Sequence, residues 1–206
     1  MFDRLAVARD ALSRAETAAG VRSRDAGVPL PAGLGALLPG GLPRGSVLGI
    51  QGSTSLVFAV MAAAMGSSGW AAVVGRGDLG WVAASEAGVD LTRVIHVPRP
   101  GGAPADVVAA CVDGFDVVVL GDAVALGAGV RRSLAGRIRA HGTVVLANWP
   151  GAPVLRATVH GGDGCADGAG HVRGRSLSVR REGMPAVVVL RMESRLLPRR
   201  HLQAVS

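Results

Sequence analysis

A strand, a glycine turn and an apolar helix follow one another in the stretch LGIQGSTSLVFAVMAAAMG, residues 48–66. In nucleotide-binding α/β proteins this junction holds the phosphate loop GxxxxGK(S/T), whose N–H groups and lysine surround the phosphates. Here Gly52 takes the place of the last loop glycine, Ser53 that of the lysine and Thr54 that of the hydroxyl residue. Only Gln51 separates Gly52 from the strand, so about four loop residues are missing. We therefore interpret Gly52, Ser53 and Thr54 as a vestigial phosphate site.

Asp122 ends the apolar stretch FDVVVLGD (115–122), where a carboxylate could belong to a second nucleotide motif. Asp122 is either a leftover of that motif or a helix cap, and we favour the cap. After the second strand, VVGRGDLGW offers Gly77 and Asp78 and no glutamate. With the loop and its lysine also lost, we predict no ATP hydrolysis, no catalytic residue and no cofactor. Cys111 and Cys165 are far apart and outside any Cys/His pattern, so we predict no metal site.

Arginine supplies every one of the 22 basic residues, against 15 acidic residues, for a net charge of +7. Such a balance is compatible with nucleic acid or with an acidic protein partner. A C-terminal group of eight, which we call the arginine strip, comprises Arg173, Arg175, Arg180, Arg181, Arg191, Arg195, Arg199 and Arg200. Arginines on an exposed edge strand discourage aggregation, but eight exceed that need. We favour a contact surface, for protein first and DNA second, with Trp149 as a further contact residue.

The chain of 206 residues is long enough for a core, and 49% of its residues are hydrophobic. The N-terminal stretch MFDRLAVARDALSRAE has charges every few residues, which argues against a signal peptide. Gly66 and Gly69 interrupt the longest apolar run, so no membrane span is predicted. These patterns indicate a cytoplasmic protein without membrane contact.

Strands and helices alternate from Ser46 to Asn148, which predicts a parallel sheet covered on both faces by helices. The expected strands are 46–50, 70–75, 93–97, 115–122 and 143–148, and the expected helices are 54–66, 78–88, 103–114 and 127–142. Three strands without helices follow, at 153–159, 173–183 and 185–193, the last two joined by a hairpin turn. Residues 160–171 lack a hydrophobic anchor, and we expect a mobile loop there.

The division of the chain follows composition. We predict an N-terminal amphipathic helix within residues 1–20, a Gly/Pro-rich linker at 21–44, an α/β domain at 45–193 and a basic tail at 194–206. In the helix at 78–88, Asp78 is the expected N-cap and Gly88 the expected C-cap. Packing between sheet and helix is expected for Trp70 and Trp81, and His96 is expected to be a hydrogen-bonded core histidine.

The order of these elements resembles the RecA-type ATPase core over residues 40–193. LPRGSVLGIQG is similar to the entry of that family's phosphate loop, and VMAAAMGSSGWAAVVG to its first helix and second strand. EAGVDLTRVIHVPRP resembles the family segment lGvD…ll…qP, and GTVVLAN resembles the strand that ends in a nucleotide-sensing glutamine, with Asn148 in that place. In this resemblance Asp122 lies near the family's magnesium-binding carboxylate, and Gly77 and Asp78 stand where its catalytic glutamate is expected. The resemblance therefore implies a degenerate RecA-like domain.

Among short RecA relatives, an added N-terminal helix and a basic tail resemble the ImuA-type accessory proteins of the mutagenic translesion system. That resemblance implies a non-catalytic adaptor of the SOS response to DNA damage. Its implied partners are ImuB, an inactive Y-family polymerase relative, and an error-prone C-family polymerase, with RecA and DNA as further candidates. Two alternatives stay open: a RecA/RadA-like recombination ATPase, and a SulA-like inhibitor of cell division. The N-terminal helix is expected to dock on a neighbouring protein or on its own core.

Overall fold

A computed structural model describes residues 27–30, 33–166, 169–184 and 187–193. For residues 161–173, 175 and 187–193 within these ranges, the description is of the backbone alone. The predicted N-terminal helix and the basic tail lie outside the described residues.

One eight-stranded sheet organises the described chain, in the order β3-β2-β4-β5-β1-β6-β7-β8. Neighbouring strands from β3 to β6 are parallel, whereas the pairs β6–β7 and β7–β8 are antiparallel. The strands are β1 (Val47–Gln51), β2 (Ala71–Val74), β3 (Val94–Val97), β4 (Val117–Leu120), β5 (Val144–Leu146), β6 (Val154–Ala166), β7 (Ala169–Arg181) and β8 (Val187–Glu193). The helices are α1 (Thr54–Met65), α2 (Trp81–Glu86), α3 (Pro104–Gly114) and α4 (Ala128–His141), with 3₁₀ turns at Leu34–Ala36 and Leu91–Arg93.

The sheet is covered by two hydrophobic layers. One layer packs α1 against the sheet and includes Val28, Leu34 and Leu42 from the Gly/Pro-rich stretch. The other packs α3 and α4 against the opposite face of β2, β4 and β5. The predicted α/β class is therefore confirmed: a mostly parallel sheet, flanked by helices and followed by antiparallel C-terminal strands.

Burial follows the position of each strand in the sheet. Every residue of β2, β4 and β5 is buried, as their continuous apolar runs predict. The prediction of burial on both faces is wrong for β3, which is an edge strand among the described residues and leaves Ile95 46% exposed. His96 on this strand is hydrogen-bonded to the carbonyl of Arg76, as predicted, but it is half-buried and does not lie in the core.

The prediction of a mobile loop at residues 160–171 is wrong. β6 and β7 continue through this region as a long antiparallel hairpin, with pairs such as Val159 with Leu177 and Cys165 with Gly170. Backbone hydrogen bonds between strands do not require apolar side chains, so the missing hydrophobic anchor was a poor guide. The hairpin predicted between β7 and β8 is confirmed, and Gly183 adopts a φ of 79° in its turn.

Two local expectations around α2 are also corrected. Asp78 is not the N-cap, because the cap is Gly80 and Asp78 instead pairs with Arg76 at 3.3 Å. The C-cap is Ala87 and not Gly88 as predicted; Gly88 is the next residue, and its φ of 92° ends the helix one position later. Trp81 packs against the core as expected, but Trp70 is 46% exposed, so that prediction is wrong.

Candidate functional site

The carboxyl end of β1, where a phosphate loop would begin, is closed by the neighbouring strand. Gly52 follows β1 directly and has a φ of 84°, in the region that favours glycine. A Cβ atom at this position would lie 2.0 Å from the carbonyl oxygen of Ala157 on β6. β6 pairs in parallel with β1 up to Gln51, so the two backbones stay together past the end of the strand. Gly52 therefore serves close packing of two backbones.

Ser53, at the position of the phosphate-loop lysine, is the N-cap of α1. Its backbone is extended, and its hydroxyl accepts a hydrogen bond from the amide of Leu56 at 3.2 Å. This contact satisfies one of the free amides at the start of the helix, which are the groups that bind phosphate in a nucleotide site. Thr54 is the exposed first residue of α1.

Asp122 follows β4 and lies next to Asn148, which follows β5. The amide nitrogen of Asn148 donates a hydrogen bond to Asp122 Oδ1 at 3.0 Å. The prediction that Asp122 caps a helix is wrong, because α4 begins after Gly127 and has no side-chain cap. Asp122 and Asn148 meet because β4 and β5 are adjacent parallel strands whose carboxyl ends share one edge of the sheet.

Cavities flank this Asp122–Asn148 pair on two sides. A small one of about 50 Å³ reaches from the pair to Arg76 and Val57. A larger one of about 430 Å³ is lined by the pair together with Leu126, Arg131 and Trp149. The guanidinium of Arg131 donates to the carbonyl oxygen of Leu126 at 2.5 Å, which holds the side chain against the loop before α4. We call these two cavities, with the residues between them, the carboxyl-edge crevice.

The charges near the carboxyl-edge crevice belong to small local networks. Arg76 has a side chain 22% exposed, and it pairs with Asp78. Hydrogen bonds from Arg76 hold the pKa of the Asp78 carboxyl below its usual value. Within the described ranges, no group of three or more His, Cys, Asp or Glu side chains is arranged to hold a metal ion. Cys111 is buried in α3, and burial raises the pKa of its thiol.

Sequence reasoning missed three residues that shape this region: Gly49, Arg76 and Arg131. A Cβ at Gly49 would lie 2.9 Å from Asn148 Oδ1 and 3.0 Å from a methyl group of Val154. The segment joining β5 to β6 passes over β1 at this point, since those strands lie on opposite sides of β1. A glycine inside an otherwise apolar strand is the signal that could have identified this close approach.

The arginine strip is described only in part. Arg180 is exposed on β7 and lies opposite Arg156 of β6, which forms an ion pair with Glu182. Arg181 is half-buried and donates to the carbonyl oxygen of Leu37 at 3.2 Å, so it helps to fix the stretch before β1. The remaining members fall into two groups: Arg173, Arg175 and Arg191 are placed on β7 and β8 by their backbone alone, and Arg195, Arg199 and Arg200 lie outside the described residues.

Trp149 is half-buried and packs against the layer that contains α3 and α4. It therefore stabilises the fold and also lines the larger cavity of the carboxyl-edge crevice. Arg180 and Trp149 thus belong to separate surfaces, one on the C-terminal strands and one beside α4. No helix within the described part of the chain is long and apolar enough to cross a membrane.

The chain is similar to a known protein family and to a mycobacterial protein. Residues 36–151 match the family described as the MT3502 N-terminal domain, a range that includes the carboxyl-edge crevice and ends before β6. The chain is also 43% identical over 94 residues to Uncharacterized protein Rv3395c of Mycobacterium tuberculosis (strain ATCC 25618 / H37Rv). That alignment covers 44% of this chain and 46% of the mycobacterial protein, so the chain spans about half the length of this relative. Because the family match covers more than half of the 206 residues, the chain belongs to the MT3502 N-terminal domain family.

Proposed function

We propose that this protein is a non-catalytic, RecA-like adaptor of the ImuA type, acting in SOS-induced, error-prone translesion DNA synthesis. It bridges an ImuB-like inactive Y-family polymerase and an error-prone C-family polymerase, in the cytoplasm and without a bound cofactor. The similarity to a mycobacterial protein is consistent with the actinobacterial version of ImuA. The partners themselves come from the sequence resemblance described above.

The contact between Gly52 and Ala157 is the observation that carries the non-catalytic part of the proposal. A phosphate loop needs several residues with free N–H groups around the β-phosphate. Here the backbone of β6 adjoins the only glycine of the junction, and the hydroxyl of Ser53 is used in capping α1. One oxygen of Asp122 likewise accepts a hydrogen bond from Asn148. The positions that would hold nucleotide and magnesium thus make contacts within the protein.

An adaptor needs surfaces for its partners, and two regions offer them. The C-terminal strands present the exposed guanidinium of Arg180 beside Arg156. The carboxyl-edge crevice presents apolar and charged groups together in a cavity of about 430 Å³. Charged rims raise association rates and select partners, whereas buried apolar contacts supply most of the affinity.

Calorimetric titration with ATP and Mg²⁺ tests the non-catalytic part. We expect no heat of binding at micromolar ATP and no phosphate release by the purified protein. Thermal unfolding of the same sample, monitored by circular dichroism, establishes that it is folded. A dissociation constant in the low micromolar range, on the order of −8 kcal/mol, would contradict the proposal and favour the RecA/RadA-like ATPase.

Pull-down and titration against purified partners test the adaptor part. We expect binding to the ImuB-like protein, weakened about fivefold (about 1 kcal/mol) by Arg180→Ala. The matched control is Arg132→Ala, which changes another exposed arginine, on α4. Replacing Arg195, Arg199 and Arg200 by alanine extends the test to the tail, over a salt series. Steep loss with salt in a DNA assay would indicate phosphate contacts instead.

The alternatives give different results in the same assays. Binding to the tubulin-like GTPase FtsZ, without binding to either polymerase, would contradict the adaptor role and favour a SulA-like inhibitor. Binding to single-stranded DNA and to RecA, again without the polymerases, would favour a role in recombination. If all arginine variants bind the partners and DNA as tightly as the wild-type protein, the arginine strip serves only to discourage aggregation at the edge of the sheet.

A further inference from the structure

A second cleft, of about 460 Å³, lies beside the start of β1. We call it the linker cleft, because residues 38–47 form one of its walls. The C-terminal half of α4 and the segment before β6 form the other walls. Its lining is mainly proline, glycine and aliphatic side chains, among them Leu42, Val47, Ala135 and Pro153, and its two charged residues are Arg139 and Arg181.

Several apolar groups in the linker cleft are incompletely covered. Val47, Ala135 and Pro153 are each half-buried, and Val47 and Ala135 adjoin the buried residues Leu48 and Leu134. Arg181 is held by the carbonyl oxygen of Leu37, whereas Arg139 is exposed and makes no ion pair in the described part of the chain. A mainly apolar cleft with an available cation at its rim suits an amphipathic segment that also carries acidic residues.

The first described residues of the chain lie beside the linker cleft. Val28 and Leu42 form an isolated antiparallel bridge. The amide nitrogen of Val28 lies 2.7 Å from the carbonyl oxygen of Leu42, and that of Leu42 lies 3.0 Å from the carbonyl oxygen of Val28. Leu42 lines the cleft, so the chain that precedes Val28 begins next to it. Between this point and the predicted amphipathic segment lie residues 20–26, which span at most about 24 Å. The segment is therefore tethered within reach of the cleft.

The amphipathic segment, residues 2–19, has an apolar stripe that needs a partner. Leu5, Ala8, Leu12 and Ala15 recur at helical spacing and so lie on one face of the predicted helix. Glu16 follows this stripe directly and supplies an acidic group at its border. Short tethers give effective concentrations on the order of millimolar, so even a weak contact within one chain is populated.

We propose that residues 2–19 dock in the linker cleft of their own chain, with the stripe of Leu5 and Leu12 against the aliphatic wall and Glu16 toward Arg139. This docking places the N-terminal segment against the start of β1 and the C-terminal half of α4. It is independent of the adaptor proposal, since it concerns a contact within one molecule.

Hydrogen exchange of the full chain, read by mass spectrometry, tests the docking. In the wild-type protein, amides of residues 5–17 exchange at least about tenfold more slowly than in an unstructured chain. Ala135→Glu places a charge in the cleft and removes this protection. The matched control is Ala140→Glu, the same change at an exposed position of α4 outside the cleft lining, which preserves it.

A second pair of variants keeps the test valid if Ala135→Glu fails to fold. Leu12→Glu charges the stripe, and Ser13→Glu places the same charge at the next position, off the stripe. Leu12→Glu removes protection of 5–17 and speeds exchange at 38–47, whereas Ser13→Glu changes neither.

Three results would overturn the proposal. The first is exchange of residues 5–17 at the unstructured rate in the wild-type protein. The second is equal protection in Leu12→Glu and Ser13→Glu. The third is protection that falls on dilution together with a dimer in sedimentation, which would place the segment on a second copy of the chain.

Discussion

Replacing Gly52 by alanine tests the central feature of the site, the contact between the end of β1 and the backbone of β6. Two features of the structure require glycine at this position. The φ is 84°, and a Cβ would lie 2.0 Å from the carbonyl oxygen of Ala157. If the junction were a pliable phosphate loop, the loop would move aside and the substitution would cost little. Since the neighbour is a hydrogen-bonded strand, we expect a substantial loss of stability.

The magnitude follows from two terms. A left-handed conformation costs an alanine about 1 kcal/mol, and forcing two packed backbones apart costs about 2 kcal/mol. Gly151→Ala is the matched control, because Gly151 has a nearly equal φ of 82° and nothing lies within 4 Å of its Cβ position. Gly151→Ala should lose only the conformational contribution, about 1 kcal/mol of stability. At about 3 °C per kcal/mol for a chain of this size, Gly52→Ala lowers Tm by about 9 °C and Gly151→Ala by about 3 °C.

Urea and thermal unfolding, followed by circular dichroism, measure both variants against the wild-type protein. An unchanged urea m-value establishes that the variants unfold from a comparably compact state. The reasoning is refuted if Gly52→Ala destabilises the protein no more than Gly151→Ala, because the carboxyl end of β1 would then have room to rearrange.

Further predictions concern single hydrogen bonds. Ser53→Ala removes the cap of α1 and lowers the free energy of unfolding by about 1 kcal/mol, while Ser53→Asp retains it; equal stability of the two would contradict the capping role. Thr143→Val deletes a buried hydroxyl that donates its proton to the carbonyl oxygen of Val112 at 2.7 Å, with that of Phe115 also within reach at 3.1 Å. The loss costs about 1–3 kcal/mol, and chemical denaturation should show a smaller effect for Thr143→Ser. Hydrogen bonds from Thr92 and then Arg93 lower the pKa of Asp90 from 3.8 to about 2. Because the folded-state pKa is the lower one, this stabilisation is present above about pH 4 and is lost as the pH falls toward 2. Asp90→Asn should therefore flatten the acid-unfolding curve in that window, and an NMR titration giving Asp90 an ordinary pKa would contradict the assignment.

The alternation of elements and the buried strands could be read from the residues. Val/Leu runs in β2, β4 and β5 are long enough to be buried on both faces, and glycines such as Gly88 mark helix ends wherever they fall in space. The prediction of a shortened phosphate loop at Gly52–Ser53 also came from the sequence, because it rests on the residue types and the number of residues between the strand and the helix. These are local properties, and local chemistry is sufficient to predict them.

Contacts between distant segments were beyond reach of the sequence patterns. The pairing of Asp122 with Asn148 depends on β4 and β5 being neighbours, and the role of Gly49 depends on a chain segment crossing β1. The extended β6–β7 hairpin was hidden because interstrand hydrogen bonds are made by backbone groups that every residue type shares. Gly52 shows both sides of the distinction. Its place after a strand led to the prediction of a vestigial phosphate loop, but only the packing of β6 against it explains why glycine is required there.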